Sequence, residues 1–474
     1  MILRILILCR CMKLTASKNT VLSFFCLFFF VLTLCASGNS FFWDTIQLGS
    51  KQAHWFYDNN FRHLLLPNRI DSGHPPVFGL YLACLWKIFG RSLAVSHLGM
   101  LPFLIGIVFQ LHRLVSRFFS RENVLAVMCL VFADPTLLAQ SIMVSPDVVL
   151  VFFLLLALNS LLEGRRMALM LALTGLGLIS MRGMFCIVIV FAVDTVLHFS
   201  SPGSFIKNTV PYIPVSLLVL VFLAYHLIHK GWIGYHKDSP WAACFETVDT
   251  MGFFKNILIL FWRIFDFGRI GLWVAAAYLL LRHRRLYTDG KSRTLFILFL
   301  VSFSILSLSL LFYKNLLAHR YLIPVYITFS LWLAYMLLEV QGARKIWIVL
   351  LLLLISGNFW VYPEQVAKGW DSSLAHVPYY GLREQMISYI RAEKIPITDI
   401  SSEFPNVSKL RYTDLNDEES AFCEKDMTCR YIIYSNVFNG FTNEEIRDLQ
   451  ESWILRKEFR KGQVFVRLYE KPDK

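Results

Sequence analysis

Charge is what this sequence has least of. Asp, Glu, Lys and Arg together make up 17% of its 474 residues, where an ordinary soluble domain carries about a quarter. With 56% apolar residues and 41 phenylalanines, most of the surface must face something other than water. That excludes a soluble globular enzyme and identifies a polytopic integral membrane protein. Acids are scarcer than bases, 33 against 46, for a formal net charge of +13. The excess is not a nucleic-acid signature, because Lys and Arg fall in short runs between apolar stretches, where membrane topology explains them. The ten cysteines contain no CxxC pair and no Cys/His spacing suited to a metal. Cys26, Cys35, Cys84, Cys129 and Cys186 lie in apolar runs and read as small buried hydrophobes. No internal repeat of helix sets is visible, which argues against the commonest transporter plans.

What the chain does have is a long succession of apolar runs. Arg4, Arg10, Lys13 and Lys18 precede the first of them, Val21 to Ala36. That run is long for a signal-peptide core and many others follow it, so it reads as an uncleaved first transmembrane helix. A span needs about 20 largely apolar residues, with Lys and Arg favoured on the cytoplasmic side. On that basis spans are expected near 20–37, 94–112, 123–142, 147–162, 167–181, 184–199, 208–229, 266–281, 294–313, 321–339 and 346–362. Eleven spans starting inside leave the C-terminus outside. The basic runs Arg113, Arg117 and Arg121; Arg165 and Arg166; Arg282, Arg284 and Arg285; and Arg344 with Lys345 then all fall inside.

Three external segments interrupt this plan. Loop 38–93 is rich in aromatics and His, and its last part, Val77 to Phe89, is short for a span and suits the interface. Segment 230–265 carries Lys255 and Arg263 among apolar residues, as an amphipathic interfacial helix would. From about 363 the composition becomes ordinary. Leu382, Met386, Ile387 and Ile390 recur at helical spacing. Thr442-Asn443-Glu444-Glu445 has capping-box form, and Trp453 to Phe459 and Val464 to Tyr469 flank a turn at Arg460-Lys461-Gly462. The expected architecture is thus an all-α membrane domain over 1–362, with about eleven transmembrane helices, and a small external α/β domain over 363–474. Cys423 and Cys429, in the polar tail, are expected to pair as a disulfide in that external setting.

Ionisable residues at or in the bilayer are costly and therefore functional candidates. Asp44 follows the first span, and Asp147 starts another behind Ser145 and Pro146. The latter also has a complete structural explanation as an acid in a capped first turn. His74 precedes Pro75-Pro76, where starting an interfacial helix is the plainer role. Arg182 and Arg320 fall on the external face against the general inside bias; each is either an interfacial anchor or a binder of an anionic head group. Singly these signals are weak, but they converge on one face of the membrane.

Their order resembles the polytopic GT-C glycosyltransferases, specifically the bacterial relatives of protein O-mannosyltransferases and the lipid A aminoarabinose transferase. The passage His74-Pro75-Pro76-Val77-Phe78-Gly79-Leu80-Tyr81 through Lys87-Ile88-Phe89-Gly90 carries most of the resemblance, and His319-Arg320-Tyr321-Leu322-Ile323-Pro324 comes next. It extends over roughly residues 20–340. The resemblance implies transfer of a sugar from a polyprenyl-phosphate donor to a lipid, glycan or protein acceptor hydroxyl, on the external face of a bacterial inner membrane. It implies Asp44 and Asp147 as catalytic acids, and His74, Arg182 and Arg320 at the donor phosphate. His319 and Tyr321 become candidate donor or acceptor contacts. Protein mannosyltransferases follow the first-loop acid with Glu, whereas Thr45 follows Asp44 here. That departure weakens mannosyl transfer to protein and leaves a divalent metal unsupported by a paired acid, so no cofactor is assigned. The competing expectation is a lipid-linked sugar flippase or another polytopic transporter, which explains many spans and intramembrane charges equally well.

Overall fold

A computed structural model of the chain describes residues 17–199, 201–234, 236–237, 239, 242–283, 289–314, 318–340, 342, 344–366 and 369–472. Arg4, Arg10, Lys13, Arg284 and Arg285 lie outside the described residues. Helices occupy each of the eleven expected segments. Among the described residues, six are long and apolar enough to cross a membrane: Lys18–Ala36, Leu93–Phe118, Met181–His198, Tyr212–Lys230, Gly290–Leu311 and His319–Leu338. Counting each of two bent pairs as one span raises that to eight. Arg166–Ile179, with 14 residues, reaches only about 21 Å at 1.5 Å per residue, against a hydrocarbon core of about 30 Å. Val77–Phe89, Pro146–Leu162 and Arg166–Ile179 are the shorter apolar helices among the described residues.

The two bends meet in one contact. The expected span 123–142 is broken by 76° between Val124–Phe132 and Pro135–Ser141. Pro135 lacks the N–H that a continuing helix requires, and its ring disfavours helical geometry at Asp134. Asp134 instead caps the new helix, accepting from the Thr136 and Leu137 amides at 2.9 and 3.1 Å. The interfacial helix Thr250–Phe265 turns through 90° into Ile270–Arg282, so the expected span 266–281 starts late. Phe267 and Gly268 make that turn in the left-handed region, at φ 52° and 83°. At the bend, Arg269 closes a bidentate pair with Asp134, both contacts 2.7 Å, and both side chains are almost fully buried. One broken helix thus anchors the other, and Asp134 and Arg269 satisfy each other across the two breaks.

Residues after the first helix fold back against it. Thr45–Lys51 forms a π-helical turn that runs into Gln52–Asp58. This segment packs against Val77–Phe89, where any side chain in place of Gly79 would strike the Gln52 side chain. Phe78, Leu82, Ala83 and Trp86 are buried while Ile88 and Phe89 are exposed, as suits a helix lying in the interface.

The C-terminal segment carries the chain's four-stranded sheet: β1 Ile400–Ser401, β2 Tyr431–Ser435, β3 Ile454–Lys461 and β4 Val464–Glu470, in the order β1-β2-β4-β3. β1 runs parallel to β2, and the other two pairings are antiparallel. Helix Pro378–Ala392 buries Leu382, Met386, Ile387 and Ile390 against it. The Thr442–Glu445 capping box is formed. The hairpin turn uses Gly462 at φ 61°, where glycine carries no steric cost. The expected Cys423–Cys429 disulfide is not formed. Cys423 sits where the chain bridges in parallel to Ser401, with its thiol donating to the Thr398 carbonyl at 2.6 Å, and Cys429 follows the Asp426 turn.

Candidate active site

Asp44, Asp147, Arg182, Arg320 and Tyr321, scattered over nearly 280 residues of sequence, come together at one end of the helix bundle. Each is aimed by a local device. Asp44 follows Trp43, whose φ of 48° is a left-handed conformation rarely held by a bulky residue; such strain persists where surrounding structure over-determines it. Asp147 sits in the first turn of Pro146–Leu162, its amide bonded to the N-cap Ser145 Oγ at 3.2 Å. Arg182 follows the N-cap Ser180, which binds the Gly183 amide at 3.1 Å. Arg320 and Tyr321 lie on the short turn that opens Ile323–Leu338.

The centre of the cluster is the Arg320 guanidinium. Its Nη2 donates to Asp44 Oδ2, its Nη1 faces Asp371 Oδ2, and its Nε lies 3.5 Å from Asp147 Oδ2. Arg182 Nη1 pairs with the other oxygen of Asp147, and its guanidinium lies 4.2 Å from the centre of the Tyr321 ring. Three carboxylates therefore share two cations, all in a largely water-free setting where such contacts are strong. Arg320, expected at the donor phosphate, faces three acids with its three nitrogens.

Asp371 has no counterpart in the expected site. It lies in the Trp370–Ser372 turn, between the last membrane helix and the C-terminal sheet. Side chains of the bent helix hold this turn: Gln140 Nε2 donates to the Asp371 carbonyl at 2.8 Å and Thr136 Oγ1 to that of Ser372 at 3.1 Å. Gln140 in turn accepts from Ser145 Oγ at 2.6 Å, which joins the turn to the cap of the Asp147 helix. Asp134 and Arg269, also absent from the expected set, support the same bent helix.

Beside the cluster opens a cavity of about 340 Å³, lined by Asp44, His74, Arg182, Phe185, Phe245, Tyr313 and Tyr321 among others. A tight cleft on its far side is lined by Asp44, Asp147, Arg182, Arg320 and Asp371. Asp44 and Arg182 line both. His74 Nδ1 accepts the Met181 amide at 3.1 Å. Burial, reinforced by the Arg182 charge, pushes the His74 pKa down to about 4. The ring is then neutral near pH 7 with its proton on Nε2, as a donor. His319 does not join the site: it is fully buried, pairs through Nε2 with Asp266 Oδ2 at 2.8 Å, and packs on Phe267. The expectation of a donor or acceptor contact there is corrected. Among the described residues no cluster of three His, Cys, Asp or Glu is arranged to hold a metal ion.

The overall architecture matches a crystal structure of ArnT from Cupriavidus metallidurans bound to undecaprenyl phosphate, with TM-score 0.51 and 11% identity, covering 95% of this chain and 98% of that one. The fold is GT-C. The apo form of the same enzyme is similar at TM-score 0.48 and 12% identity, over 93% and 97% of the two chains. In sequence, the model of the dolichyl-phosphate-mannose-protein mannosyltransferase family matches residues 73–229. That stretch begins beside His74 and includes Asp147 and Arg182, but stops short of Arg320 and excludes Asp44. No curated protein matches the chain. This GT-C fold places the membrane helices, the folded-back first loop and the C-terminal sheet unit in one continuous arrangement, and its cluster lies where all three meet.

Proposed function

We propose that the chain is a membrane glycosyltransferase that moves a sugar from a polyprenyl-phosphate donor to an acceptor hydroxyl on the external face. The carrying observation is that Asp44 belongs at once to the cavity and to the arginine-centred cluster. A carboxylate so placed can take the acceptor proton as the acceptor oxygen bonds to the anomeric carbon and the sugar–phosphate C–O bond breaks. The departing lipid phosphate gains negative charge, which fixed cations and donors stabilise. Arg182 is the cation on the cavity wall, with Tyr321 beneath it and the His74 Nε2–H nearby. If Arg182 turns to a phosphate, Asp147 keeps Arg320 as a partner, so no acid is left buried and unpaired. Arg320 then serves to hold Asp44, Asp147 and Asp371 in register. The ArnT relative of this fold was captured with undecaprenyl phosphate, and a donor of that chemical class suits a cavity with apolar walls and one cationic edge.

The test is incubation of purified protein with a panel of polyprenyl-phosphate sugars and candidate acceptors, following release of free polyprenyl phosphate and labelled product. Release coupled to product supports transfer. Movement of the intact lipid-linked sugar across vesicles, with neither release nor product, would instead make the chain a flippase.

A further inference from the structure

A second, wider cavity lies far from the candidate active site. It measures about 720 Å³ and is walled by Lys18, Leu22, Phe109, Arg113, Arg117 and Glu163, with three neighbours. Lys18 begins the helix that Asp44 follows, and Glu163 ends the helix that Asp147 begins. The two places are therefore about 25 Å apart at 1.5 Å per residue, at opposite ends of the bundle. Glu163 is the single acid. It accepts from Arg113 Nε at 2.6 Å, lies 3.0 Å from Arg165 Nε and 3.5 Å from Arg117 Nη2. With Lys18, four cations surround one carboxylate, an excess of three positive charges among the described residues. The carbonyl ends of two helices account for part of that charge, but not for an open cavity between three helices.

The walls indicate what kind of anion fits. Leu22 and Phe109 line the cavity below the cations, and Phe109 is half exposed. On the first helix, Leu27, Phe30 and Leu34 continue outward as an exposed apolar stripe. A soluble anion has no use for such a surface, whereas a phospholipid has both a phosphate and acyl chains to place. We propose that this cavity binds the head group of an anionic membrane phospholipid, its phosphate among Lys18, Arg113 and Arg117 and its chains along the outer faces of the first helix and Leu101–Phe118. The site is independent of sugar transfer, and basic pockets between helices at the cytoplasmic surface are suited to such head groups.

Native mass spectrometry of the full chain, titrated with phosphatidylglycerol or with phosphatidylcholine of the same acyl chains, tests this. Wild type is expected to retain phosphatidylglycerol in preference to phosphatidylcholine. Lys18→Gln/Arg117→Gln should weaken phosphatidylglycerol binding about thirtyfold, given roughly one tenfold step per 1.4 kcal/mol and about 1 kcal/mol per cation. Arg121→Gln/Arg282→Gln, which removes the same charge from exposed positions, should leave binding unchanged. Glu163→Gln should tighten it, which keeps the proposal testable if the double variant fails to insert. Equal retention of the two lipids, equal weakening by both double variants, unchanged affinity in Glu163→Gln, or displacement of the lipid by an equal concentration of inorganic phosphate would each overturn the assignment.

Discussion

The two charged clusters at the ends of the bundle use the same residue types in opposite arrangements. At one end a buried arginine is ringed by three carboxylates; at the other a glutamate is ringed by three arginines and opens on a wide cavity. The first is nearly dry and tightly interlocked, so removing a member leaves an uncompensated buried charge. The second is partly solvated, where individual pairs contribute little. Chemistry needs groups held in fixed positions before the reaction begins, and only the acid-rich end has that property. A surplus of partly solvated positive charge is better suited to attracting a negatively charged surface.

The largest test of this contrast is all-or-none. If the acid-rich end is external, alkaline phosphatase fused after residue 474 is active and a fluorescent protein there is dark, while fusions after His283 give the reverse. The opposite pattern would exchange the faces of both clusters. Next, Asp44→Asn preserves volume and hydrogen bonding but removes the proton acceptor. Transfer is expected to fall by about 10² to 10⁴, with donor binding retained, as measured by product formation and lipid titration; near-normal turnover would remove Asp44 from the catalytic role. Arg320→Lys keeps the charge but cannot reach three carboxylates with three nitrogens. It should lower transfer by about tenfold, on the scale of one charged hydrogen bond at about 1.5 kcal/mol or more. Full activity would show that the ring of acids does not depend on the fork.

A smaller effect should appear in pH dependence. The His74 ring has its pKa lowered from 6.5 to about 4 by burial and by Arg182, with Asp44 and Asp71 opposing. Between those values the unfolded chain binds a proton that the folded one refuses, so stability is lost as pH falls from about 6.5 toward 4. Thermal melts across that window should flatten in His74→Gln, and an unchanged slope would mean that other groups titrate there. The smallest effect belongs to the basic end: Glu163→Gln should change stability by no more than about 1 kcal/mol and leave transfer rates as they were.

The sequence made the members of the acid-rich cluster visible through cost: Asp44, Asp147, Arg182 and Arg320 are ionisable groups at membrane depth, and the structure brings all four together. Tyr321 was legible only as their neighbour. Asp371 was not, because it lies in a polar segment where an acid costs nothing and only the fold carries it to Arg320. Asp134 and Arg269 were absorbed into apolar runs taken as continuous or nearly so. Asp134-Pro135 is a helix-start signal in its own right, and Phe267-Gly268 a turn signal, so both breaks had a local mark that hydropathy overrode. His319 failed for the opposite reason: adjacency to Arg320 suggested a shared direction, yet the turn that aims Arg320 at the acids aims the imidazole at Asp266.

The Trp370–Ser372 turn bears on how this protein can be taken apart. Held by Gln140 and Thr136 and carrying Asp371 to Arg320, it makes the C-terminal segment a contributor to the arginine-centred cluster rather than a detachable module. A chimera that exchanges the tail at residue 363 would replace one wall of the proposed site together with the appendage, and a graft that begins after residue 373 would keep the wall and change only what lies above it.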